Sequence, residues 1–252
     1  MSRTEVSITT PDGVCPGHVF TPEGKGPWPA VILFMDAPAI RPTLLDMGDR
    51  LASHGYYVLI PDMFYRDGPY APVTDVSKLF ADEEARKAIF AKMGKCANPE
   101  AAKADAGAFL DFLARQPEVK GDKVGVTGYC MGGRLALLAA ANFPDRVVAA
   151  GAFHGGNLAN DQDPSSPHFL ADRIKAKVYV GGADQDSGFP PEQKARLEAA
   201  LTAARVDHRV EIYDGAKHGY TMKDLSVYDE AAAERHWRET VALFDSTLKA
   251  AA

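Results

Sequence analysis

"VGVTGYCMGGRLALLAA", residues Val124 to Ala140, decides the fold. A short β-rich run reaches Gly128, then a lone cysteine at Cys130, then Gly132 and Gly133, and continues as an apolar helical pattern. Gly-x-Cys-x-Gly between a strand and a helix has the form of a nucleophile elbow with cysteine in place of serine. Glycines suit positions 128 and 132 because so sharp a turn brings backbone segments together while the central residue is held under strain. A thiol at a helix N-terminus is polarised toward the thiolate, which is the attacking species.

Outward from the elbow, the chain alternates strand-like and helix-like segments. "EVSITT" and "VCPGHVFTP" flank the turn signal "PDG" and predict an antiparallel N-terminal hairpin. "PAVILFMD" is apolar throughout, as a strand covered on both faces should be, and is followed by the helical "TLLDMGDRLASHG" and the strand "YYVLIPD". After the elbow come "RVVAAGAFHG", "AKVYVGGAD", the helix "PPEQKARLEAALTAA", "HRVEIYDGA" and a last helical run from Ser226 to Ala250. This order predicts an α/β fold, a mainly parallel sheet with helices on both faces. The 252 residues suit a single α/β domain over 1–252, with residues 63–98, a loop followed by helical patterns, as a rim or cap segment.

The composition is 46% hydrophobic and 25% charged, and no apolar run has the length of a membrane span or the form of a signal segment. Net charge is −6 with scattered Lys and Arg, which argues against a nucleic-acid partner or an anionic membrane surface. A small-molecule partner and a cytoplasmic location are expected. The three cysteines have no CxxC spacing and the seven histidines no HxxxH spacing, so neither a disulfide framework nor a metal site is expected. Cys15 and Cys96 have no adjacent base signature and read as packing or surface residues.

Ligands of open α/β sheets bind beyond the carboxyl ends of the strands, so polar residues there are the first candidates. Cys130, Asp184 and His218 each follow an apolar strand run, in the order nucleophile, acid, histidine that characterises α/β-hydrolases. His218 would accept the thiol proton, and the carboxylate would orient the imidazole. Asp184 is favoured as the acid because it lies closer to its strand, with Asp186 as the alternative. Backbone N–H groups of Met131 and Ala37 are the expected oxyanion donors. Tyr129 and His154 are candidate substrate-binding residues, His154 as a pocket wall, and His236 and Trp237 read as core.

With GxCxGG at Gly128–Gly133, GxxD at Gly181–Asp184 and "GAKHGY" at Gly215–Tyr220, the chain resembles the dienelactone hydrolase family over almost its whole length. The resemblance implies an α/β-hydrolase fold, a Cys-His-Asp triad, no cofactor, and hydrolysis of lactones or related esters. It also implies an acidic residue after the third strand that activates the thiol. Asp36 occupies that position, one methylene shorter than the usual glutamate. Two substrate-binding arginines are expected of the family. Arg86 matches the first, and Met222, with Lys223 beside it, stands at the second. Methionine does not replace a guanidinium fork; Arg41 and Arg66 are candidates to compensate, but each reads rather as an ordinary surface arginine. The expected activity is cleavage of a lactone or small ester through an S-acyl intermediate on Cys130. The alternatives are acyl transfer on the same intermediate or a catalytically silent small-molecule binding protein.

Overall fold

The "PDG" turn closes a hairpin in which β1 (Ser2–Thr10) and β2 (Gly13–Thr21) pair antiparallel, Thr10 opposite Gly13. The chain then runs through β3 (Trp28–Phe34), α1 (Pro42–Ser53), β4 (Tyr57–Pro61), α2 (Val76–Ala81), α3 (Glu83–Cys96) and α4 (Pro99–Ala114). It continues through β5 (Val119–Tyr129), α5 (Met131–Asn142), β6 (Val147–Phe153), β7 (Lys177–Gln185), α6 (Pro191–Ala203), β8 (His208–Lys217) and α7 (Glu230–Phe244). The computed structural model describes residues 2–71, 73 and 75–250. Pro72 and Thr74 of the expected rim, and Met1, Ala251 and Ala252 of the expected 1–252 domain, lie outside the described residues.

Eight strands form one sheet in the order β1-β2-β4-β3-β5-β6-β7-β8. β1, β2 and β4 pair antiparallel, and every pair from β4 to β8 is parallel. The chain steps from β3 back to β4, crosses to β5 and thereafter moves only outward. Right-handed crossovers therefore place α1 and α7 on one face and α4, α5 and α6 on the other. Arg50 of α1 binds Glu234 of α7 through two 2.7 Å hydrogen bonds, which joins the helices of the first face. The reversal of direction between β3 and β5 is the topological switch point, where such sheets open a crevice at the strand ends.

The expected rim segment holds two helices, α2 and α3. Asp82 ends α2 and caps α3, its carboxylate accepting the Ala85 N–H at 2.7 Å. The last helix is shorter than the helical pattern from 226 to 250. It begins after Asp229, which caps it through Ala232 N–H at 2.9 Å, and its end widens into a π turn over Asp245–Lys249. A short 3₁₀ helix, Pro167–Arg173, lies in the connection between β6 and β7.

The β5–α5 turn rests on backbone contact. A Cβ built on Gly128 would sit 2.0 Å from the Gly132 carbonyl oxygen, and one on Gly132 would sit 2.4 Å from that of Phe34 in β3. Both neighbours are backbone, so neither side can yield. Gly132→Ala is therefore expected to destabilise the fold by about 3 kcal/mol or more. Gly94→Ala, in open space on α3, should gain up to about 1 kcal/mol. Urea unfolding of the two variants checks the contrast; equal stabilities would refute the packing argument.

Candidate active site

Cys130 sits between β5 and α5 at φ 55° and ψ −118°, a region that costs a side-chain-bearing residue about 1–3 kcal/mol. Two bonds hold it there: Cys130 N–H donates to the Phe153 carbonyl at 3.1 Å, and Gly133 N–H to the Cys130 carbonyl at 3.1 Å. The thiol is half-buried and opens onto a cavity of about 490 Å³ at the switch point. Cys15 and Cys96 are buried elsewhere, and burial pushes both thiols up, Cys96 to about 12. Neither has the accessibility or the thiolate character of a nucleophile.

His218, directly after β8, shares that cavity. Its Nδ1 lies 2.7 Å from Asp186 Oδ2, and it also hydrogen-bonds the Cys130 thiol. Burial disfavours the charged ring, but the bonds to Asp186 and Cys130 outweigh it and raise His218 to about 10. Asp186 is itself fixed, its Oδ1 accepting the Gly188 N–H at 2.8 Å.

Asp184, the acid favoured from sequence, does not face His218. Its side chain is exposed and accepts the Gly215 N–H at 3.2 Å. The cause is a bulge. Ala183 pairs with Tyr213 and Gln185 with Lys217, so two steps along β7 oppose four along β8. The extra residues carry His218 past Asp184 to the level of Asp186.

Asp36 follows β3 and lines the cavity, and both its oxygens accept from the Arg41 guanidinium, at 2.6 and 3.0 Å. Arg41 also donates to the Ala39 carbonyl at 3.1 Å and through two bonds, 2.5 and 3.1 Å, to Asp224, another cavity residue. Burial pushes the Asp36 carboxyl up, and the Arg41 fork pulls against it. Arg41 is only 2% exposed, so its reading as a surface arginine is corrected. Arg66 is likewise no free surface group: it binds the buried Asp105 at 2.8 Å, and also Asp12. The Asp36–Arg41–Asp224 cluster escaped the sequence reading; its only local trace is an arginine five residues after Asp36.

Ala37 lines the cavity, while Met131 opens α5, where a first-turn N–H has no intrahelical acceptor. His154 is buried at φ 38°, its Nε2 2.8 Å from Thr221 Oγ1 and its ring 5.1 Å from that of His218. Burial, with His218 and His236 nearby, holds it neutral, well below the usual imidazole range. Tyr129, Met222 and Arg86 do not line the cavity. The alternation of β5 turns Tyr129 toward α7, where its hydroxyl meets His236 Nε2 at 2.9 Å. Met222 is 0% exposed, and Arg86 lies exposed on α3. Among the described residues, no group of three or more His, Cys, Asp or Glu could hold a metal ion, and no helix is long and apolar enough to cross a membrane.

The profile of the dienelactone hydrolase family matches residues 15–248. A Synechocystis protein named "Putative carboxymethylenebutenolidase" is 25% identical over 99% of this chain and 98% of its own. The crystal structure of a "Putative Dienelactone Hydrolase" from Klebsiella pneumoniae superposes with a TM-score of 0.81 at 25% identity, covering 96% of this chain and 98% of that one. A dienelactone hydrolase-like promiscuous phosphotriesterase from metagenomic libraries is similar too, with a TM-score of 0.76 and 27% identity over 98% and 99% of the two chains. The chain belongs to the dienelactone hydrolase family, a family of α/β-hydrolase enzymes.

Proposed function

We propose that the protein hydrolyses a lactone or a small carboxylic ester through an S-acyl intermediate on Cys130. The observation that carries this reading is His218, hydrogen-bonded to both Cys130 and Asp186 at the edge of one cavity. The Cys130 sulfur attacks the carbonyl carbon with the proton held on His218, whose raised value favours the charged ring. The tetrahedral oxyanion is met by the N–H groups of Met131 and Ala37. When it collapses, the C–O bond to the leaving group breaks and His218 returns the proton to the departing oxygen. His218 then takes a proton from water, the resulting hydroxide attacks the thioester carbon, and the C–S bond breaks to release the acid, leaving the proton on His218 beside the Cys130 sulfur as at the start. Asp186 orients the imidazole and stabilises its charged form. Asp36, occupied by Arg41, serves to fix the turn that presents Ala37, in which Ala39 N–H also binds the Asp36 carbonyl at 3.0 Å.

Cys130→Ala should lose the acyl-enzyme, seen as a missing mass adduct with an aryl ester, and at least about 10⁴-fold in kcat/KM. Full turnover by that variant overturns the mechanism. Asp186→Asn should cost about 10⁴-fold, and Asp184→Asn less than about threefold.

The same pair separates by titration. By NMR the wild-type His218 ring should titrate near the value of about 10 set by its partners, fall toward the usual 6.5 in Asp186→Asn, and stay in place in Asp184→Asn. Because the folded value is raised, the contribution to stability is complete below pH about 6.5 and lost as pH climbs through about 10. The stability gap between wild type and Asp186→Asn should close over that window; a gap that widens with pH would contradict the assignment.

A further inference from the structure

Two cavities open onto Cys130, and neither offers a free cation among the described residues. The larger, of about 490 Å³, carries two carboxylates, Asp36 and Asp224, with apolar walls that include Pro38, Val76, Leu225 and Val227. Among the described residues no lysine or arginine lines it. Arg41, the cation behind it, is committed to both carboxylates, so two negative charges face one positive. Asp224, with its side chain 30% exposed, carries the unbalanced charge. Lys223, its neighbour in sequence, lines a different recess beside α1.

The second cavity, of about 410 Å³, has Arg134 in its wall. That guanidinium binds Asp163 at 2.7 Å, the Asn157 carbonyl at 2.9 Å and Ser165, so its charge is matched. His218 is likewise occupied by Asp186 and the thiol. A carboxylate entering either cavity would lose water and gain no guanidinium fork in return, and in the larger cavity it would meet like charge.

On the reading of this site as an ester site, we propose that the Cys130 cavity takes uncharged esters or lactones, and that Asp224 is a specificity-determining residue that repels substrates with a carboxylate near the scissile carbonyl.

The test compares p-nitrophenyl valerate, the p-nitrophenyl half-ester of glutaric acid, and the p-nitrophenyl ester of a trimethylammonio acid of the same length, at low salt. Wild-type kcat/KM should favour the neutral ester over the carboxylate by about tenfold, with the ammonium ester at least equal to the neutral one. Asp224→Asn should narrow the neutral-to-carboxylate gap severalfold, as should raising the salt on wild type, because screening weakens the repulsion. A carboxylate ester turned over as well as the neutral one, or a gap that neither change moves, overturns the proposal. Alkylation of Cys130 reads the same charge without turnover. The ratio of iodoacetate to iodoacetamide rates, located by peptide mass, should rise severalfold in Asp224→Asn, and an unchanged ratio overturns the proposal. Silent esters with a responding ratio would sink the hydrolase reading and leave the charge assignment standing.

Discussion

Three stretches of backbone meet at the Cys130 turn, and nothing larger than hydrogen fits between them. The end of β5 lies against the first turn of α5 through Gly128 and Gly132, and Gly132 in turn lies against Phe34 and Met35 of the β3 end. That contact lets α5 start directly beneath the thiol and keeps the post-β3 turn, with Ala37, beside it. Cys130 cannot relax out of its left-handed conformation without breaking bonds to Phe153 and Gly133. The strain at Cys130 is thus held by two central strands of the sheet, which a surface loop could not do.

The other groups reach the same place by different routes. Asp36 and Ala37 leave β3 on one side of the switch point, Cys130 leaves β5 on the other, and Asp186 and His218 arrive from β7 and β8. The β8 bulge supplies the length that sets the imidazole opposite Asp186. Asp184 still has work at this corner, because it accepts the Gly215 N–H that the bulge would otherwise leave without that partner. One aspartate stabilises the detour, and the other benefits from it.

The parts of this architecture that depend on neighbours in sequence were legible before any coordinates. The hairpin at "PDG", the apolar strands and the Gly-x-Cys-x-Gly elbow are each specified within about ten residues, by turn chemistry and periodicity. What could not be read depends on pairing between distant segments. Proximity to the strand end favoured Asp184, but the choice between the two aspartates turns on how many residues of β8 oppose two of β7. Arg41 looked like a surface residue because one of its partners, Asp224, lies 183 positions away. Tyr129 adjoins Cys130 in sequence, yet strand alternation turns it toward α7. Met222 stands four residues after His218, but the turn in which its N–H binds the Gly219 carbonyl at 3.0 Å accompanies a side chain wholly inside the core.

The Asp36–Arg41–Asp224 cluster is poorly explained by stability alone. Taking a guanidinium and a carboxylate out of water costs several kcal/mol per ion, and well-packed apolar residues often serve as well or better. Removing one partner is another matter, since an orphaned buried charge costs about 3–5 kcal/mol. The cluster therefore makes the relative placement of its three segments hard to change. Those segments are the turn after β3, the start of α1 and the loop beyond His218. Two of them border the cavity that holds Cys130 and His218, and their carboxylates form part of its wall. The same charges that lock the walls in position set the potential a substrate meets, so geometry and charge selectivity at this site cannot be varied independently.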